Sequence, residues 1–267
     1  MRGSLFVEER RRAILERLER QGRVSVKALS DLMNVSTVTI RQDLRALEDN
    51  GFLDRTYGGA VRRELRAVPP ELSFQVRLNN HRAQKDLIAE ACVQMVQNGD
   101  CIALDASTTA YALVGHLKAF ECLTVVTNSL IIAQSFLDSP QIQVLLPGGR
   151  VRRDSVSLVG RPETLPDINL KAGFFGARGL SLMGGISDVD AEEAAIKQAL
   201  RARCVAPVIV ADGSKWDQVA PYTFATLAQT DRIITTSDAP QDHVCQFREA
   251  GARVDVVALQ RSESLVR

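Results

Sequence analysis

Near the start of the chain, apolar positions recur at helical spacing in three short stretches. Residues 5–21 carry Phe6, Ile14, Leu15 and Leu18 among charged neighbours and stop at Gly22, which predicts a first helix. Ser25 and Ser36 each read as the cap of a further helix. An apolar residue precedes each serine (Val24, Val35) and another follows four positions after it (Leu29, Ile40), so a hydroxyl cap and a hydrophobic staple coincide. Met33-Asn34-Val35 leaves only a tight turn between the two, and helix, turn, helix behind a first helix is the helix-turn-helix arrangement. In the last of the three, Ile40, Leu44 and Leu47 follow i, i+4, i+7 and define the buried stripe, which turns Val38, Arg41, Gln42 and Arg45 outward. After Gly51, apolar and polar residues alternate around Gly58-Gly59, which predicts a β-hairpin, a wing, over residues 52–62.

The pattern breaks at Arg66-Ala67-Val68-Pro69-Pro70, a natural hinge. Beyond it, apolar runs alternate with helix-compatible stretches: Cys101–Asp105, Leu123–Thr127, Val144–Leu146, Phe174–Ala177, Val205–Asp212, Ile233–Thr236 and Val254–Leu259. Strands that are apolar throughout and separated by ten or more such residues imply a mostly parallel sheet covered on both faces. In such sheets, ligands bind beyond the C-terminal strand ends. The expected organisation is a small α+β winged helix-turn-helix domain over residues 1–65, a linker over 66–80, and an α/β domain over 81–267.

Charge sharpens this division. The chain's net charge is only +1, but residues 1–66 hold 14 basic and 10 acidic side chains, net +4, which leaves −3 for the rest. A basic module on an acidic body is the asymmetry of a protein whose one end meets a polyanion. The apolar fraction of 45% and charged fraction of 24% are those of a globular chain, which excludes a disordered or fibrous one. No apolar run suits a membrane span and the N-terminus lacks a hydrophobic signal, so a cytoplasmic protein is expected. The five cysteines lie scattered among apolar neighbours without a Cys-x-x-Cys pair and read as buried free thiols. No zinc ligand set, Ser-His-Asp order, Walker loop or dinucleotide fingerprint is present, so no metal, cofactor or catalytic residue is expected.

The outward face of the third helix carries what a major groove needs. Arginine pairs with guanine, glutamine with adenine, and valine touches a thymine methyl. Ser36, Thr37 and Thr39 in the first turn suit backbone phosphate, and Arg55, Arg62 and Arg63 could reach phosphates from the wing. In the large domain the strand ends offer Asp105-Ala106-Ser107-Thr108-Thr109, Thr127-Asn128-Ser129, Gly148-Gly149-Arg150, Gly176-Ala177-Arg178 and Asp212-Gly213-Ser214-Lys215. Taken singly, a serine, threonine or aspartate after a strand is most often a helix cap, and Gly148-Gly149 reads equally as a turn. Together they suggest one polar pocket for a small, anionic, hydroxyl-rich ligand.

At these residues the chain resembles the DeoR-type bacterial transcriptional regulators. In the first domain the resemblance rests on Val24-Ser25-Val26, on Ser36-x-x-Thr39-Ile40-Arg41-Gln42-Asp43-Leu44 and on Gly58-Gly59-Ala60. Gln42 stands where a second arginine is usual, and Tyr57 where a histidine is. Over about residues 77–240 it rests on Lys85-x-x-Ile88-Ala89, Asp105-x-Ser107-Thr108-Thr109, Thr127-Asn128-Ser129, Gly148-Gly149, Phe175-Gly176-Ala177, Glu193-x-x-x-Lys197 and Asp212-x-Ser214-Lys215. The resemblance implies a sensor domain similar in fold to ribose-5-phosphate isomerases. It implies that residues 107–109 hold a phosphate while Asp105 and Lys215 contact the sugar. Arg178 replaces a usual acid, which points either to a second anionic group on the ligand or to an ion pair with Asp188 or Asp190. The expected function is a repressor of a carbohydrate operon, bound to double-stranded operator DNA as a homodimer or homotetramer and released by a phosphorylated sugar. The alternative is a sugar-phosphate isomerase or deaminase with a DNA-binding appendage, for which Glu193 and Lys215 are the acid–base candidates.

Overall fold

The structure, a computed structural model, describes residues 7–49, 53–62 and 73–258. The chain divides into two compact units, Met1–Val76 and Arg77–Arg267.

In the first unit, α1 (Val7–Gln21) precedes a short strand β1 (Arg23–Ser25), then α2 (Val26–Met33) and α3 (Thr37–Asp49). Both serines cap as their spacing predicts. Ser25 Oγ accepts from the Ala28 N–H at 3.1 Å, and Ser36 Oγ from the Thr39 N–H at 3.1 Å. The turn between α2 and α3 is closed by Asn34 in the left-handed region, φ 52°, and by Ser30 Oγ donating to the Val35 carbonyl at 2.6 Å. Ile14, Leu18, Leu29, Met33, Ile40, Leu44 and Leu47 form the core that joins the three helices.

The wing is β2 (Leu53–Thr56) paired antiparallel with β3 (Gly59–Arg62), and Gly58 turns between them at φ 88°. Strand β1, which no sequence pattern announces, makes the wing three-stranded by pairing Arg23, Val24 and Ser25 with Val61, Ala60 and Gly59. Three residues are too few for alternation to show. The second glycine is explained by this strand, because a Cβ at Gly59 would collide with the Val24 carbonyl. Phe6, Arg63 and residues 66–72 of the expected linker, which include the hinge, lie outside the described residues. Within the stretch expected as linker, Phe74–Asn79 forms a helix, α4, and the division between the units falls inside it.

The second unit begins with α5 (Arg82–Val93) and β4 (Cys101–Leu104), followed by the short helices α6 (Thr108–Ala112) and α7 (Val114–Leu117). Next come β5 (Leu123–Thr127), α8 (Leu130–Ser135), β6 (Ile142–Leu145) and a hairpin of β7 (Arg150–Arg152) with β8 (Ser157–Val159). Strand β9 (Leu170–Gly176) leads to the hairpin β10 (Gly179–Ser181) and β11 (Gly185–Asp188), and then to α9 (Ala191–Ala202) and β12 (Cys204–Val210). The chain continues through β13 (Tyr222–Ala225), β14 (Arg232–Thr236), α10 (Gln241–Glu249) and β15 (Val254–Val257).

The seven expected strands are the seven of one sheet, in the order β15-β14-β12-β9-β4-β5-β6, and all its pairings are parallel. Neighbouring residues feed opposite faces. Phe175 and Ile209 join α9 and α10 in one core, while Phe174 and Val208 join α5 to α8 in the other. This alternation is why the strands read as continuous apolar runs.

The antiparallel pieces, β7 with β8 and β10-β11-β13, are additions to the expected layout. The expectation that all five cysteines are buried is corrected. Cys92 is buried, Cys101 and Cys204 are half-buried, but Cys122 and Cys245 are exposed, the former ahead of β5 and the latter on the solvent side of α10. Burial raises the Cys92 thiol and pushes Cys204 up to about 12. Among the described residues no helix is long and apolar enough to cross a membrane.

Candidate functional site

The recognition face on α3 is as its periodicity predicts. Ile40, Leu44 and Leu47 are buried, and Val38, Arg41, Gln42 and Arg45 are exposed, Val38 at 59%. A valine so exposed on a helix of polar neighbours lies outside the unit's buried core. Ser36 is exposed and Thr37 and Thr39 half-exposed at the N-terminus of this thirteen-residue helix, where N–H groups and hydroxyls suit phosphate.

One acid of α3 faces inward. Asp43, 2% exposed, takes the Arg10 Nε at 2.5 Å and the Arg11 Nε at 3.1 Å, which ties the recognition helix to α1. On the wing, Arg55 is engaged by Glu48 of α3 at 2.6 Å and its backbone N–H donates to the same carboxylate. Arg62 ends β3, with its side chain outside the described residues.

In the second unit the polar strand ends gather around a buried lysine that sequence reasoning gave no role. Lys197 Nζ lies 2.8 Å from Asp105 Oδ2 and 2.6 Å from Asp188 Oδ2, donates to the Gly176 carbonyl at 2.6 Å, and sits 5.0 Å from the centre of the Phe224 ring. Burial alone would depress this ammonium, but Asp105 and Asp188 overcome burial and hold it above the usual lysine range. The i,i+4 spacing of Glu193 and Lys197, just after Asp188, was the available signal for one inward face of α9. Asp105, expected to contact a sugar, is fully buried. Its oxygens are taken by Lys197, by the Gly176 N–H at 2.9 Å and by the Ser107 N–H at 3.0 Å. It positions the turn after β4.

A second cluster adjoins the first. Glu193 accepts from Ser157 and, at 2.6 Å, from Ser155 on the tip of the β7–β8 hairpin, while its other oxygen accepts from Asn128 Nδ2 at 3.2 Å. Arg152 reaches Asp190 at 3.3 Å and Ser155 Oγ at 3.0 Å. Glu193, the carboxylate that an isomerase base would require, thus has both oxygens bound. Asn128 is wholly buried, and its Oδ1 has no hydrogen-bond partner.

The charges of Asp212 and Asp188 act on the remaining cations. Burial lowers Lys215, with Asp212 opposing and Arg178 and Arg77 reinforcing the effect. Burial also lowers Arg178, against the pull of Asp188 and Glu193. Lys85, 5% exposed, is lowered to about 8, chiefly by burial, with Lys215 and Arg77 acting the same way and Asp212 against. For Asp212, burial works to raise the carboxyl, but Lys215, two bonds from Ser214 and the nearby His81 hold it below its ordinary value.

Ser107, Thr108 and Thr109 line the turn after β4. Ser107 caps α6 through the Ala110 N–H at 3.1 Å, and both threonines are buried. Gly149 and Arg150 sit on the exposed base of the hairpin, where Arg150 pairs with Glu192. A side chain at Gly149 would strike the Val159 carbonyl, so this glycine serves the β7–β8 ladder. Arg77 is the cation that sequence reasoning missed, because it lies in the stretch read as linker. Among the described residues no group of three His, Cys, Asp or Glu is arranged for a metal ion.

Comparison with known proteins adds a family. Residues 10–65 match the DeoR-like helix-turn-helix domain, and residues 80–237 match the DeoR C terminal sensor domain. An uncharacterized HTH-type transcriptional regulator of Escherichia coli K12, YgbI, is 37% identical, covering 87% of this chain and 91% of that one. The HTH-type transcriptional regulator GolR of Listeria innocua is 32% identical over 94% of this chain and 99% of its own. The HTH-type transcriptional repressor GlcR of Bacillus subtilis is 32% identical over 97% and 99%. Among solved structures, ribose 5-phosphate isomerase A of Methanocaldococcus jannaschii aligns over 51% of this chain and 55% of that one, at 14% identity and a TM-score of 0.39.

Proposed function

The chain belongs to the DeoR family of DNA-binding transcriptional regulators, and from that premise we propose that it represses a carbohydrate-utilisation operon and is released by a phosphorylated sugar. The family assignment makes it a regulator, not an enzyme. Its helix-turn-helix domain binds DNA and its sensor domain answers a small molecule.

The observation that carries the finer reading is the set of partly buried cations beyond the strand ends. Lys85, Arg178 and Lys215 each hold their charge at a cost in desolvation, around Asp212 and Asp188. A cation kept out of water in this way gains most from an anion delivered to it. The hydroxyls of Thr108 and Thr109 after β4 and the amide of Asn128 after β5 suit a sugar's oxygens. The Bacillus subtilis relative GlcR is a transcriptional repressor by name, which supports repression here. A single recognition helix reads few base pairs, which favours a two-fold dimer or tetramer on paired half-sites.

Ligand binding changes DNA affinity only through a preference for one conformation over another. We therefore assign the switch to the segment that joins the sensor to the winged helix, not to direct competition for the groove face. A panel of sugar phosphates tested for release of an operator fragment identifies the effector. Thr108→Ala and Lys215→Ala should bind operator as the wild type does and ignore that effector. Loss of operator binding by either folded variant refutes the placement of the switch.

A further inference from the structure

From Gly179 to Ser187, and again from Gln218 to Thr230, the chain carries no charged residue, although 24% of its residues are charged. These stretches supply nearly all of the antiparallel sheet β10-β11-β13, which is separate from the parallel one. We propose that the exposed end of this sheet, where the β10–β11 turn meets the segment leading into β13, is the surface on which two copies of the chain pair. This rests on the reading of the regulator as a two-fold oligomer on paired half-sites, and says where the copies meet.

The inward side chains fix the sheet in place. Leu180, Ile186, Phe224 and Ala225 are buried in the core that holds Phe175 and Trp216. What the same segments turn outward is apolar too. Met183, in the β10–β11 turn, is 99% exposed and Val219, ahead of β13, 64%, while Leu182 and Tyr222 are each exposed by nearly half. They form one patch. A Cβ on Gly184 would come within 2.8 Å of a Val219 methyl, and Thr223 Oγ1, next to Tyr222, donates to the Gly184 carbonyl at 2.7 Å. By contrast, Leu137, Val151 and Val205, also exposed, stand beside charge. Leu137 precedes Asp138, which pairs with Lys118; Val151 lies between Arg150 and Arg152; Val205 follows Arg201 and Arg203.

The four side chains leave on the order of 450 Å² in solvent. A two-fold contact over them buries on the order of 900 Å² before its rim is counted, near the roughly 1,000 Å² at which a specific interface begins. The rim is polar, with Gln218 and the largely exposed Asp217 preceding Val219 along the chain. Charge selects a second copy as the occupant. Residues 1–66 are net +4 and the rest −3, so contact between copies elsewhere sets like charges together. In a two-fold contact each surface meets its own image and a charge near the axis meets itself, which a patch without charge avoids. A different partner of an acidic domain would be recognised through basic groups of its own, and the patch offers those no acid.

Sedimentation equilibrium of the full chain at micromolar concentration tests this. The wild type should sediment as an even number of chains. Met183→Glu should halve that mass and raise the dissociation constant at least about thirtyfold, while Met183→Leu and the control Leu137→Glu leave it unchanged. Trp216, the single tryptophan, is 3% exposed against Phe247, so its emission reports whether the sensor stays folded. Val219→Glu repeats the test from the neighbouring segment if that emission shifts in Met183→Glu. An assembled wild type that neither glutamate loosens, or an equal loss in Leu137→Glu, overturns this surface and leaves the paired half-sites standing. A wild type that stays monomeric overturns both.

Discussion

Asp43 makes a stringent test of how the recognition helix is held. It is 2% exposed, on the face of α3 opposite the groove residues, and accepts from Arg10, itself 6% exposed, at 2.5 Å and from the more open Arg11 at 3.1 Å. Asp43→Ala would leave the Arg10 guanidinium buried beside a small void. Breaking a buried pair by removing one partner costs up to about 3–5 kcal/mol, because the buried guanidinium loses an opposite charge. Arg11 adds little, being partly solvated. A unit of this size is stable by roughly 3–10 kcal/mol, so the loss is about half of that or more. Hydrogen exchange of the full chain, followed at the amides of α1 and α3, reads this loss without requiring the two units to unfold together. Since Asp43 does not face the groove, affinity for operator and for random DNA should fall in parallel and their ratio should stay fixed. A change below about 0.5 kcal/mol in exchange at α3, or an altered ratio, would refute the argument.

On the groove face the opposite signature is expected. Gln42→Ala and Arg45→Ala should each reduce discrimination between operator and random DNA by about 1–3 kcal/mol in competition binding, with folding untouched; full retention of preference in both would mean the wrong face had been assigned. Gly59→Ala should cost about 1–3 kcal/mol by forcing β3 off the Val24 carbonyl, visible as faster exchange in β1 and β3, and a neutral result would dismiss the close approach. Lys85 predicts a pH dependence. Its folded value of about 8 lies below the ordinary 10.5, so between these the unfolded chain keeps a proton that the folded chain has released. Stability from this site therefore rises with pH across that window, with a slope of at most about 1.4 kcal/mol per pH unit. Lys85→Met should flatten that rise, and curves that stay parallel to wild type from pH 8 to 10 would show that Lys85 does not titrate there.

What the sequence announced and what it hid divide along physical lines. Capped helices and two-sided strands write long, regular signatures. Ser25 and Ser36 with their staples located α2 and α3, and seven apolar runs located the whole parallel sheet, because burial on both faces leaves no polar position to confuse the pattern. Strands β1, β7, β8, β10 and β11 have three or four residues each, too short for a period of two to repeat, and β1 is revealed only by the second glycine opposite it. Helix α4 was hidden for a like reason. Its six residues are too few for a helical period to repeat; Ser73 Oγ lies 3.5 Å from the Val76 N–H at its start, and a lysine eight positions beyond Arg77 holds its end.

The strand-end residues show why a site is harder to read than a fold. The same hydroxyl or carboxylate that could bind a ligand also satisfies the first N–H groups of the next helix, and here Ser107, Ser129, Asp190 and Asp212 all do so. Residue type and spacing cannot separate the two uses; the valences already spent can. Asp105 has given its oxygens to Gly176, Ser107 and Lys197, and Glu193 has given its own to Ser155, Ser157 and Asn128, so both acids hold the turns around them whatever else they contact. Asn128, in contrast, keeps a buried acceptor with no hydrogen-bond partner, which costs free energy unless a donor arrives, and a sugar hydroxyl is such a donor. Lys215 and Lys85 likewise hold positive charge that burial disfavours. A buried acceptor in need of a donor, in the same unit as cations that burial disfavours, supports the proposed phosphorylated sugar over an uncharged one.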